Sequence, residues 1–135
     1  MPRVSAIVPT FNSAQFLGRS ISSALAQSYT DYEVIVVDDG STDETREVVA
    51  QFGDRVRCLY QPNRGPSAVR NLALSVANGE LIAYLDADDV WYPHKLERQV
   101  KKHKEIVKEH KNNLSVQALS SQAEEEYNRS VGGQR

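Results

Sequence analysis

Cysteine is nearly missing from this chain, Cys58 being the single thiol among 135 residues. One thiol makes no internal disulfide, so the fold must stand on an apolar core. Cys58, set in an apolar stretch, reads as a small buried hydrophobe of a reducing compartment, the cytoplasm. Long apolar runs are missing too. Nothing approaches the roughly 18 residues that span a bilayer, and only a few apolar residues separate Met1-Pro2-Arg3 from Pro9, so neither a membrane span nor a signal peptide is expected. Lysine is absent before position 93: seven Arg there face twelve Asp or Glu, a balance of −5. Phosphate backbones are held by clustered Lys and Arg, so this acidic front half excludes nucleic acid as its partner and asks for a cation. From Pro93 onward nine basic residues face six acidic ones, so the chain changes character at that point. Glycine, finally, is missing from Pro9–Ser13, and no G-x-x-x-x-G-K-[ST] loop occurs anywhere. Dinucleotide and P-loop readings drop out, and a diphosphate in an acidic cleft would have to be held through a metal.

What is present alternates. Val4–Val8, Glu33–Asp38, Val56–Tyr60 and Leu81–Leu85 are short β-branched or aliphatic runs bounded by Pro, Gly, Asp and Asn, and read as strands. Between them, Leu17, Ile21, Ala24 and Leu25, and then Val69, Leu72, Ala73 and Val76, repeat at helical spacing. Ser41-Thr42-Asp43-Glu44 fits a capping box opening another helix, Gly53 and Gly79 suit helix ends, and Pro66 suits a first turn. The order βαβαβαβ predicts an α/β fold: a Rossmann-like parallel sheet with right-handed crossovers and helices on both faces. A lysine-rich helix is expected from 93 to about 111, with Leu96, Val100 and Val107 as a thin apolar seam. A polar tail follows, in which Ser121 and Glu124 are spaced as a capping box that would restart a helix, the alternative being a mobile tail. Two parts result, 1–98 and 99–135.

In an open parallel sheet, ligands bind beyond the carboxyl ends of the strands. Strand one leaves into Pro9-Thr10-Phe11-Asn12, strand two into Asp38-Asp39-Gly40-Ser41, and strand four into Asp86-Ala87-Asp88-Asp89. Five carboxylates thus gather at one edge. Two carboxylates about 4 Å apart repel by roughly 4 kcal/mol at an effective dielectric of 20, so the cluster needs protons, arginines or a metal. Asp86 and Asp88 are two apart, and on an extended segment both would approach one ion. Oxygen ligands of this hardness suit Mg²⁺ or Mn²⁺. The plainer reading makes these aspartates turn formers or caps for the helix near Pro93.

The segments VSAIVPTFN, VIVVDDGSTDET, NRGPSAVRNLALSVANGELIAYLDADD and WYPHKLE, in that order and spacing, resemble the family 2 glycosyltransferases of the GT-A fold over residues 4–97. The resemblance implies that this is the amino-terminal, nucleotide-sugar-binding half of that fold, carrying a C-terminal helix. Pro9, Thr10 and Phe11 match the segment lying against base and ribose, and Asp39 the carboxylate that accepts a hydrogen bond from the base. Asp38 matches a structural position. Asp88 matches the metal ligand, and Asp86 the carboxylate placed near ribose or metal. Arg70 matches a residue near the diphosphate or the acidic motif; the alternative is a salt bridge to Asp38 or Asp86. Trp91 and Tyr92 suit either sugar stacking or core packing. The implied ligand is a nucleotide-diphosphate sugar of the UDP kind.

The match ends at Leu96-Glu97, where the family continues into an acceptor half that supplies the general base. That half is expected to be missing here, and the clustered Glu124, Glu125 and Glu126 read as a solvated helix face. The expected functions are therefore the donor domain of a glycosyltransferase or a truncated, non-catalytic binder of nucleotide sugars. In either case little transfer and a homodimer are expected. LIAYLDADDV also resembles the nucleophile strand of haloacid-dehalogenase-type phosphatases, with Asp86 as nucleophile, but that motif opens its domain and here it follows three strands.

Overall fold

The computed structural model of the chain describes residues 2–118, with side chains through residue 112. The four apolar runs form strands β1 (Val4–Thr10), β2 (Tyr32–Asp38), β3 (Arg57–Tyr60) and β4 (Leu81–Tyr84). All pair in parallel, in the order β3-β2-β1-β4. Helices α1 (Ala14–Leu25), α2 (Thr45–Ala50) and α3 (Pro66–Val76) make the crossovers, and α4 (Lys95–Ala118) follows β4. By compactness the chain divides into Met1–Arg98 and Gln99–Arg135. The tail around Ser121 and Glu124, with its two alternatives of restarted helix and mobile segment, lies outside the described residues.

The near-continuous apolar character of β1 and β2 has a direct cause, since both are central strands covered on two faces. Ile7, Ile35 and Val37 pack with Val69 and Ala73 of α3 into one buried cluster. The alternate residues Ala6, Val8, Val34 and Val36 point the other way and are equally buried. That second face is served by α1 and α2, which contact each other, β1 and β2. Leu17, Ile21 and Ala24 of α1 are fully buried, as their spacing predicts.

Local chemistry differs from expectation in the loop after β2. Ser41 does not cap α2. The Asp43 carboxylate does, accepting Thr45 N–H at 3.0 Å and Thr45 O–H at 2.5 Å, while it also accepts Ala14 N–H at 3.2 Å from the start of α1. The box fails because Ser41 Oγ is already taken by Asn12 N–H, at 2.9 Å. Asn12 in turn, at φ 47°, accepts Thr42 N–H at 2.8 Å. The exits of β1 and β2 are thus stitched to each other, while Asp43 also serves the starts of both following helices. Gly53 opens a short 3₁₀ turn instead of closing a helix, α3 ends at Val76 before Gly79, and Pro66 begins α3 as expected. Cys58 is half-buried and free, and burial pushes its thiol up.

Candidate functional site

β1 is flanked by β2 on one side and β4 on the other, and the chain's winding reverses between β1 and β4. This is the place where an open parallel sheet leaves a crevice at its carboxyl edge. A cleft of about 300 Å³ opens there, lined by Pro9, Thr10, Phe11, Asp39, Pro66, Val69 and Asp86. Five of the residues singled out from sequence, Pro9, Thr10, Phe11, Asp39 and Asp86, therefore share one cavity. Pro66 and Val69 were legible only as a helix start and a core position; their place in the cleft depends on how α3 is laid against β1 and β2.

Asp39 is held more firmly than any other group in the cleft. Its Oδ1 accepts the Gln61 amide N–H and the Arg64 backbone N–H, both at 2.8 Å, and its Oδ2 accepts Gly65 N–H at 3.1 Å. It is 8% exposed. Burial alone would push its carboxyl up, but the hydrogen bonds from Arg64, Gln61 and Gly65 outweigh burial and hold it below the usual carboxylate range. The two neighbouring glycines make this possible. Gly40 turns the chain at φ 76°, and a Cβ there would come within 2.6 Å of Asn63 N; Gly65, at φ 91°, presents its N–H before α3 begins.

Asp38 has the structural place expected of it. It is fully buried, its Oδ1 accepts Ser41 N–H at 2.9 Å, and its Oδ2 has no hydrogen-bond partner. Its nearest cation is Arg46, with Nε at 4.0 Å, whose guanidinium also sits 4.5 Å from the Tyr60 ring centroid. Nothing in the sequence distinguishes Arg46 from an ordinary exposed helix residue. Arg70 makes no ion pair with Asp38 or Asp86; it lies exposed on α3, 5.7 Å from the Tyr84 ring centroid and outside the cleft lining. The salt-bridge alternative for Arg70 is therefore set aside.

The acidic segment after β4 is a turn, not an extended strand end. Asp89 N–H reaches back to Asp86 O at 3.0 Å, so residues 86–89 fold over and the two-residue alternation of a strand does not apply. Asp86 faces the cleft, whereas Asp88 lines a separate, smaller cavity of about 90 Å³ with Phe16, Arg19, Asp89 and Val90. Among the described residues no three carboxylate, histidine or cysteine groups converge on one point that would hold a metal. Asp86, Asp88 and Asp89 are all exposed.

The sequence reading missed what holds this turn. Ser20 of α1, buried at 1% exposure, donates to Ala87 O at 2.7 Å and to Asp89 O. Ser23 Oγ accepts Trp91 N–H at 3.0 Å, Gln27 bridges Tyr92 O and Leu96 N–H, and Ser28 N–H reaches Pro93 O at 2.8 Å. Helix α1 and the residues just after it thereby fix residues 87–96. The available signal was Ser20 lying on the apolar stripe between Leu17 and Ala24. Trp91 is buried and Tyr92 is 85% exposed, which gives the first to the core and the second to solvent.

With this geometry in hand, the comparisons are decisive at family level. The pattern of Glycosyl transferase family 2 matches residues 5–112. This chain belongs to that family. An uncharacterized glycosyltransferase of Nostoc sp. is 44% identical over 102 residues, which cover 73% of this chain and 32% of that protein. The family 2 chain thus spans about a third of that curated relative. S. aureus TarS 1–349 in complex with UDP-GlcNAc superposes with a TM-score of 0.69 at 32% identity, covering 76% of this chain and 31% of that one. A mannosyltransferase from Pyrobaculum calidifontis in complex with GDP-Man and Mn²⁺ gives 0.60 at 35% identity, covering 67% and 28%. The Rossmann-like α/β architecture of this family 2 chain is that of GT-A glycosyltransferases.

Proposed function

We propose that this chain binds a nucleotide-diphosphate sugar, of the UDP kind, at the carboxyl edge of its sheet and forms the donor side of sugar transfer to an acceptor hydroxyl. The cleft carries the reading, because Pro9, Phe11, Pro66 and Val69 form an apolar slot for a flat ring while Asp39 and Asp86 add two acceptors. An anionic diphosphate is repelled by those carboxylates unless a cation lies between. Asp86 and Asp88 are the proposed holders of that cation, Mg²⁺ or Mn²⁺; Asp86 already lines the cleft, and Asp88, which lines the other cavity, has to turn toward it to share the ion. Neither carboxylate has a hydrogen-bond or ion-pair partner among the described residues, so both are free to take one. Two carboxylates fit a small hard cation that completes its shell with water and substrate phosphates, rather than one held in a protein cage. Such a cation, when bound, neutralises charge on the diphosphate. Arg70, exposed on α3, is assigned to the diphosphate side. The complexes of UDP-GlcNAc with TarS and of GDP-Man and Mn²⁺ with the mannosyltransferase support the ligand class and the cation. A cytoplasmic setting accords with the single thiol, and no described helix is long and apolar enough to cross a membrane.

Calorimetry with UDP, in Mn²⁺ and then in chelator, tests the reading. Binding should weaken at least about tenfold in chelator, and Asp88→Ala should weaken it far more than Asp89→Ala, whose carboxylate already accepts Val90 N–H. Equal affinity in both conditions would remove the metal bridge. Transfer by the whole protein is likewise a proposal, given the 32% of the Nostoc relative that this chain spans.

A further inference from the structure

The loop from Gln61 to Gly65 supplies three donors to the Asp39 carboxylate. A carboxylate has about four acceptor sites, two on each oxygen. On Asp39, Oδ1 is filled by Gln61 and Arg64, and Oδ2 is half filled by Gly65. One acceptor site is left, and it is on Oδ2.

Asp39 is also the only carboxylate in the cleft that is buried, since Asp86 is exposed. A diphosphate avoids a buried anion with no cation partner of its own. The uncharged end of a nucleotide therefore goes to Asp39, where the apolar slot receives a flat ring. The bases differ in what they bring to a single acceptor. Uracil has one ring N–H, flanked by carbonyls, and one acceptor satisfies it. Guanine presents a ring N–H and an adjacent amino group side by side, which need both oxygens of a carboxylate at once.

We propose that Gln61, by occupying Oδ1 of Asp39 together with the Arg64 N–H, is a specificity-determining residue that selects a uracil nucleotide over a guanine nucleotide. This rests on the nucleotide-binding reading above and adds to it the means of base choice. Guanine at Asp39 would keep its amino group buried against a saturated oxygen, and an unpaired buried donor is costly. The same three donors hold the Asp39 carboxyl below the usual carboxylate range against the effect of burial. Gln61 is held in place by its own backbone, whose N–H reaches Asp38 O at 3.0 Å, so its amide is positioned by the end of β3 and not by the ligand.

The test is competitive titration of UDP and GDP, with Mn²⁺, on the full chain and on Gln61→Met, which keeps the volume and removes the donor. The unaltered chain should prefer UDP by about tenfold or more, as a site built for one hydrogen-bond pattern rejects another. In Gln61→Met the freed site on Oδ1 should raise GDP affinity relative to UDP and shrink the preference at least about threefold. Gln61→Ala should shift the ratio in the same direction. An unaltered chain that binds GDP as tightly as UDP overturns the inference without any variant. So does a Gln61→Met protein that loses both nucleotides in equal proportion. If neither nucleotide binds the unaltered chain, the nucleotide reading itself falls, an outcome plainly different from equal binding.

Discussion

Asp39 and Asp38 are adjacent in sequence and opposite in use. Asp38 is sealed inside the sheet end and turns the loop through Ser41, whereas Asp39 opens on the cleft and gathers three donors from a loop more than twenty residues away. The hold of Asp39 on that loop has a definite pH sign. Its folded pKa lies below the ordinary value of 3.8, so its contribution to stability is fully present above that value and is lost as pH falls through the folded one. The backbone amide signals of Arg64 and Gly65 should titrate together with a midpoint below 3.8; a midpoint at or above it would show the latch to be absent. Asp39→Asn keeps the shape but replaces a pure acceptor with a group that also donates, which sets its amide against Arg64 or Gly65 N–H. UDP binding should drop at least about tenfold, and the fold should lose roughly 1–3 kcal/mol in urea titration. Gly40→Ala should cost roughly 2 kcal/mol or more, because a positive φ and the close approach of Asn63 both oppose a methyl group.

Helix α1 has two tasks that share one face, since Ser20 lies among Leu17, Ile21 and Ala24. Its apolar stripe, Leu17, Ile21 and Ala24, packs the core, so Ile21→Ala should cost about 2–5 kcal/mol as buried truncations do. Its Ser20 and Ser23, with Gln27 just past its end, hold the segment that carries Asp86–Asp89 and Trp91. Ser20→Ala removes the donor to two buried or half-buried carbonyls and should cost about 1–2 kcal/mol. It should also weaken UDP binding in Mn²⁺ more than in chelator, because the turn it releases bears the proposed cation ligands. Calorimetry in both conditions distinguishes this from a general loss of stability, which would lower the two affinities alike.

Across the whole sheet, the two outer strands are β3 and β4, and each is paired on one side only among the described residues. β4, Leu81–Tyr84, is the more apolar of the two. Its residues Leu81, Ile82 and Ala83 are only partly buried, and Tyr84 is 45% exposed. An edge of this kind presents unpaired backbone groups that a second chain can meet. Ile106 and Val107 of α4 add exposed apolar surface. We expect a homodimer at micromolar concentration, measured by light scattering. A monomer over that range would show the edge to be tolerated.

The sequence by itself determined the parts of this protein whose causes are local. The period-two and helical spacings of Ile7, Ile35, Val69 and Ala73 set the elements and their buried faces, and the alternation of strands and helices set a parallel sheet. The acidic strand exits placed Pro9–Phe11, Asp39 and Asp86 together, because the carboxyl ends of parallel strands lie on one edge. Tertiary structure decided everything that depends on a partner distant in the chain. That Asp86 and Asp88 face different cavities follows from a turn held by Ser20, 66 or more residues earlier, which no spacing within the D-x-D triplet encodes. That Ser41 serves Asn12 rather than α2, and that Gln61 fills an oxygen of Asp39, follow from loops brought together by the sheet's order. Hydrogen-bond donors in those loops have no periodicity, so only the folded chain states which acceptor each one meets.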